Sequence, residues 1–230
     1  MKSFLLSAVL LLSVAALKAQ TVEEIIAKHI DAIGGKDKLS QIKSIYMENS
    51  VNVMGGDNPA SVTILNGKGY RTDVEFQGQK ITSVITDKGG WAINPMAGSS
   101  DATPLPDDQY QQMKDQIFIG APFYDYVARG LKPELLGKEG TEFKVKVGDA
   151  TYFLDPATYY ITKLVRKGQM MGQEVETTIS FSDYKKTDFG YVIPYTVATD
   201  FGGQFQMTST VKKAEVNKAV DPKTFDMPGK

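Results

Sequence analysis

Short runs in which apolar and polar residues alternate, eight in all and each closed by a turn bearing Gly, Asn or Asp, fill most of the chain from about Ser44 to Val216. Residues 173–184 show the pattern best. Val175, Ile179 and Phe181 fall on one side, and Glu174, Glu176, Thr178, Ser180 and Ser182 on the other. Successive strand side chains face opposite sides, so each run predicts a half-buried strand with one dry face. The pattern recurs at Tyr70-Thr72-Val74-Phe76, Phe143-Val145-Val147, Tyr191-Ile193-Tyr195-Val197 and Phe205-Met207 with Val211. Turn signals such as Asn66-Gly67, Gly148-Asp149 and Gly202-Gly203 separate the runs, which suits an antiparallel up-and-down meander without helical crossovers.

Helical period governs two stretches. Residues 21–33 open on Thr21 and Glu24, the two members of a capping box. They carry Val22, Ile25, Ile26, Ile30 and Ile33 on one stripe and stop at Gly34-Gly35. A short helical turn is expected at 38–42. From Pro95 to Gly140 the strand period disappears. Here 107–116 reads as a helix started by Pro106 and acidic residues, and 122–129 as a second short helix. The expected fold is therefore mainly β with a few helices (α+β), with a helical segment inserted mid-chain.

Residues 1–19 read as a secretory signal peptide: Lys2, an apolar stretch from Phe4, then Leu17-Lys18-Ala19 before Gln20. The expectation is an exported, periplasmic protein with a single domain over 20–230 and no integral membrane span, since no later run approaches the roughly 20 apolar residues a span needs. The charges, 26 Lys and Arg against 27 Asp and Glu, are mixed along the chain, which argues against nucleic acid as a partner. With no cysteine, stability must come from core packing.

Catalytic hardware is sparse. His29 is the only histidine and falls beside the first helix's apolar stripe, as a packing residue would. A zinc set has no second His and no Cys to complete it. Asp107-Asp108, Asp155 and Asp200 sit at a helix start and in turns, where local backbone chemistry accounts for them. Neither Gly55-Gly56 nor Gly89-Gly90 leads into a phosphate-binding helix. The expectation is a protein that is not an enzyme and needs no cofactor or metal. What remains is apolar surface. Met96, Met113, Ile117, Phe118, Ile119, Phe123, Tyr124 and Tyr126 cluster in the interrupting segment, as cover for the sheet or as a movable lid over an apolar cavity.

Several segments carry a resemblance: Ile33-Gly34-Gly35-Lys36, Gly90-Trp91-Ala92-Ile93-Asn94-Pro95, Asp155-Pro156 with Tyr160-Ile161-Thr162-Lys163, Phe181-Ser182-Asp183-Tyr184-Lys185 leading to Gly190 and Ile193-Pro194, and Asp221-Pro222 with Phe225 and Pro228. Together the chain resembles the LolA-like outer-membrane lipoprotein-sorting proteins and their exported relatives. The resemblance implies a strongly curved antiparallel half-barrel with helices across its mouth, whose concave face holds acyl chains in the carrier members. Those members latch the lid with an early-strand arginine. Arg71 is the sole early-strand candidate here, and Tyr70 and Thr72 beside it depart from the carrier pattern, so the latch is not carried over.

The preferred reading is a periplasmic protein that shields a lipoprotein acyl group or another lipid, with envelope proteins as further partners. Val74, Phe76, Phe143, Val145, Ile179, Phe181, Tyr195 and Val197 are expected to line its cavity, with Met113, Ile117 and Phe123 from the lid. The competing readings are a non-catalytic envelope module whose sheet is closed by its own lid, and an enzyme built on convergent acids.

Overall fold

A computed structural model of the chain describes residues 20–170 and 173–229, so the segment read as a signal peptide, residues 1–19, lies outside the described residues. The helix α1, Val22–Ala32, starts with the expected capping box: the Glu24 amide donates to Thr21 Oγ1, and the Thr21 amide donates to the Glu24 carboxylate, both at 3.3 Å. Ile25, Ile26, His29 and Ile30 form its buried stripe. Gly34 and Gly35 then turn the chain with φ of 135° and 83°. A side chain at Gly34 would meet the Gly190 carbonyl at 3.2 Å, so glycine lets the helix end close on the sheet. The second helix, α2, covers Lys36–Ser40, slightly earlier than expected, and buries Leu39.

Thirteen strands are found among the described residues. In the first half these are β1 Ser44–Val53, β2 Gly56–Leu65, β3 Gly69–Phe76, β4 Gln79–Thr86, β5 Gly89–Asn94 and β6 Ser99–Pro104. In the second they are β7 Glu134–Glu139, β8 Glu142–Val147, β9 Ala150–Leu154, β10 Ile161–Met170, β11 Gln173–Lys186, β12 Val192–Phe201 and β13 Gln206–Val216. All pairings are antiparallel, in one unclosed curved sheet with the order β6-β5-β4-β3-β2-β1-β13-β12-β11-β10-β9-β8-β7. Two meanders thus meet where the first strand pairs with the last. The opposite edges of the sheet, β6 and β7, are joined by residues 105–133, so this segment must travel from one edge to the other. Twelve strand spacings would set those edges nearly 60 Å apart in a flat sheet, at about 4.8 Å each. Curvature brings them within reach of a connection that is partly helical.

The thirteen strands exceed the eight read from the sequence, and the reading is corrected in three further places. Strand structure does not disappear from 95 to 140, because β6 and β7 lie there. Both are edge strands, paired on one side only, and need no alternating face; β6 carries Pro104 and β7 is irregular at Gly137. The helix read at 107–116 is α3, Asp107–Met113, continued by a 3₁₀ turn at Lys114–Ile117. The helix read at 122–129 does not form: Gly120, Asp125 and Gly130 all adopt positive φ, which breaks the period into turns.

Two apolar clusters hold the sheet, one on each face. On the inner face α1 and α2 pack through Ile25, Ile26, Ile30, Ile33 and Leu39 onto Ile45, Phe143, Val145, Val147, Leu154, Ile161 and Ile193. On the outer face the C-terminal tail seats Phe225 against Val84 and Trp91. Phe225 lies so close to Gly69 that a β-carbon there would fall 2.5 Å from its ring.

Candidate ligand-binding face

Strand register assigns the inner face residue by residue. Paired positions share a face, and one row runs across eight strands: Val53, Met207, Thr199, Ile179, Leu164, Tyr152, Val145 and Leu135, from β1 through β13 and β12 to β7. A parallel row holds Val51, Ser209, Val197 and Phe181. On the other side of β1, Val74 pairs with Ala60 and with Ile81.

The row passes through two environments. Under α1 it is most tightly closed at Val145, with Tyr152 and Leu135 beside it partly buried. Val145 is wholly buried, Phe143 is 5% exposed, and Phe123, reaching in from the edge-to-edge connection, is 1% exposed. Phe123 meets the rings of His29 and Tyr152 edge-on, each at 5.4 Å. Away from α1, Leu164 and Thr199 of the row are buried, while Val51, Val53, Val62, Val74, Phe76, Ile81, Ile179, Val197 and Met207 are only half-buried, although register or strand parity turns them all inward. Of the residues proposed to line a cavity, Phe143 and Val145 therefore belong to the closed core, and Phe181 and Tyr195 pack against its margin. Val74, Phe76, Ile179 and Val197 lie on the less covered part. Among the lid residues, Ile117 and Phe123 are buried and Met113 is half-buried.

Residues 105–133 reach the inner face in steps. Leu105 donates its amide to the Gly90 carbonyl at 2.9 Å and lays its side chain where Gly90 has no β-carbon. Tyr110 Oη donates to the Thr86 carbonyl at 3.1 Å on β4, and Arg166 Nη1 on β10 donates to the Gln112 carbonyl at 3.0 Å. The helix α3 thus bridges two strands from opposite meanders. The 3₁₀ turn is held by the Gly67 amide on the Ile117 carbonyl and the Ile119 amide on Asn66 Oδ1.

Arg166, Tyr152 and Arg129 are polar features of this region that the sequence reading did not single out. Arg166 shares the inward parity of Leu164 and Gly168 on β10, and an arginine in that series was the available signal. Arg129 sits over the Phe118 ring at 4.8 Å and pairs with Asp115 at 3.3 Å. It also borders a cavity of about 210 Å³ lined with Asn66, Ile119 and Tyr124. A second cavity, about 330 Å³, lies beside Phe225 and Pro222. Neither is lined by a residue of the apolar row.

Arg71 lies on the outer face. Its guanidinium holds the Asp73 carboxylate at 2.8 and 2.9 Å and the Thr224 carbonyl at 2.8 Å, so it pins the C-terminal tail and not α3. Trp91 Nε1 assists by donating to the Phe225 carbonyl at 2.9 Å. His29 is 3% exposed, with Nδ1 at 2.8 Å from the Tyr159 carbonyl. Burial lowers its pKa to about 4, against the raising effect of that hydrogen bond. Among the described residues, no group of three or more His, Cys, Asp or Glu side chains is placed to hold a metal ion, and no helix is long and apolar enough to cross a membrane.

An unclosed, curved antiparallel sheet with helices on its inner face is an architecture shared with solved structures. The chain is similar to a LolA superfamily protein from Nitrosomonas europaea, at 11% identity over 90% of this chain and 98% of that one, with a TM-score of 0.56. It is similar to a domain named for outer-membrane lipoprotein sorting from Vibrio parahaemolyticus, at 13% identity over 88% and 95%, TM-score 0.57. It is also similar to a DUF1329 family protein from Desulfovibrio piger, at 11% identity over 90% and 98%, TM-score 0.59. No protein-family profile matches the chain, and no curated protein matches it by sequence. The fold is LolA-like.

Proposed function

We propose that this protein is a periplasmic carrier that shields an acyl chain, of a lipoprotein or another lipid, against the less covered part of its inner face. The observation that carries the reading is the set of inward-turned apolar side chains, from Val53 and Met207 to Ile179 and Val74, that stay only partly buried on the sheet that α3 bridges. The names of two fold neighbours, and the signal-like pattern of residues 1–19, support export and lipid handling. The mechanism is exclusion of water, with no bond made or broken. An acyl chain of about sixteen carbons would gain roughly 13 kcal/mol from burial at about 0.8 kcal/mol per CH₂. Association costs of about 4–15 kcal/mol offset from about a third to all of this gain, so the net affinity is modest at most, which suits a protein that must release its cargo. Release then needs a second apolar surface to receive the chain.

The sealed half under α1 favours a second reading, an envelope module whose sheet is closed entirely by its own helices. Purification of the chain lacking residues 1–19, followed by lipid extraction and mass spectrometry, separates the two. Co-purified acyl lipid at near one per protein is expected. A preparation that carries none, and takes none up from vesicles, would leave only the module.

A further inference from the structure

At the apolar row and the row beside it, three polar side chains stand together on the inner face. Arg166 on β10 pairs directly with Thr177 on β11, which is 9% exposed, and with Ala150 on β9. Tyr152 pairs with Leu164, so it is the diagonal neighbour of Arg166 on the same face. Arg129 has Asp115 as an ion-pair partner, but Arg166 has no carboxylate within ion-pair distance among the described residues. Its Nη1 is used by the Gln112 carbonyl. The Nε and Nη2 donors, which form the edge that grips a carboxylate with two parallel hydrogen bonds, have no partner among the described residues. Arg166 is only partly buried, so its free edge stays open to an incoming anion, which would supply the counter-charge it lacks. Burial, then the nearby Asp115 carboxylate, pushes the Tyr152 phenol up to about 12, so at neutral pH its hydroxyl keeps its proton and can donate.

Resting on the carrier reading, we infer that Arg166, with Tyr152 and Thr177, is the head-group site for a long-chain carboxylate whose hydrocarbon lies along Ile179, Thr199, Met207 and Val53. The row from β10 to β1 crosses four strand spacings, roughly 19 Å, the reach of a long acyl chain. The planar monoanion matches the free guanidinium edge in shape and charge. Since the same arginine holds Gln112 of α3, the head group sits where the bridging segment is tethered.

Equilibrium dialysis of the chain lacking residues 1–19 against labelled palmitate, methyl palmitate, hexadecyl phosphate and acetate tests this. Palmitate is expected to bind at least tenfold more tightly than its methyl ester. Arg166→Gln should reduce palmitate to the level of the ester and leave the ester unchanged. Tyr152→Phe, which keeps the ring against Phe123, should lower palmitate about threefold. Equal binding of palmitate and ester, or a preference that survives Arg166→Gln, overturns the head-group site and leaves the carrier reading standing. Tighter binding of hexadecyl phosphate than palmitate overturns the carboxylate assignment, and acetate bound as tightly as palmitate overturns the long-chain one. Failure of every long-chain probe overturns the carrier reading itself.

Discussion

Val145 and Ile179 stand in one cross-strand row, three strands apart, yet Val145 has no exposed surface and Ile179 keeps part of its own. The strands beneath them are alike, so the difference comes from what covers them. Over Val145 lie α1, fixed to the sheet by the Val192 amide on the Ile33 carbonyl at 3.0 Å, and Phe123 from the connection. Ile179 is only partly buried, although its cross-strand partners Leu164 and Thr199 are buried. An antiparallel sheet can therefore carry one continuous apolar face and close part of it more tightly than the rest, by the placement of one helix; the proposed function assigns the looser part to binding. Disrupting the tighter part should cost stability without affecting uptake, and disrupting the looser part should do the reverse.

The largest effect is expected at Phe123. Phe123→Ala leaves a void between His29 and Tyr152 and should cost about 3–5 kcal/mol in chemical denaturation. Acyl uptake by the fraction that stays folded should be unchanged, and a matching loss of uptake would mean that the two halves are one cavity.

His29 gives the sealed half a pH signature. Its folded pKa of about 4 lies below the ordinary 6.5, so the unfolded chain binds the proton more tightly between these values. The stabilisation is fully present above about pH 6.5 and is lost as pH falls towards 4, on the order of 3 kcal/mol in all. Denaturation midpoints taken between pH 7 and pH 4 should show this slope, and His29→Gln should flatten it. An unchanged slope in the variant would place the pH dependence elsewhere.

On the outer face, Arg71→Gln removes the double contact to Asp73 and the bond to the Thr224 carbonyl, a loss of about 1–2 kcal/mol. Hydrogen exchange of residues 220–228 should rise while acyl uptake stays constant. Reduced uptake would show that the tail and the inner face are coupled.

Which of these regions could be read from the chain follows from what each depends on. Alternation reports parity, and antiparallel register carries parity from strand to strand, so it is enough to put Val74, Phe143, Ile179 and Val197 on one face. Coverage depends on where α1 docks and on the route from β6 to β7, neither of which leaves a local period. The edge strands escaped because one-sided pairing tolerates Pro104 and Gly137. The motifs behind the LolA-like resemblance prove to be joints. Trp91 meets Phe225 through a hydrogen bond, Gly34 closes on Gly190, and Tyr160 stacks on Tyr184 at 4.3 Å. Joints specify the fold and say little about cargo, which is why the fold was far more legible than the ligand. Arg166 was visible as an arginine in an inward series, but the role proposed for it rests on having no carboxylate partner among the described residues.

The most direct measurement is titration of the chain lacking residues 1–19 with a neutral fluorescent acyl probe, beside Ile179→Glu. The account predicts saturable one-to-one uptake by the natural chain. It predicts at least a tenfold loss in the variant, with a stability loss smaller than that of Phe123→Ala because Ile179 is only partly buried. Uptake that survives a charge at Ile179, or a natural chain that takes up no probe, would contradict it.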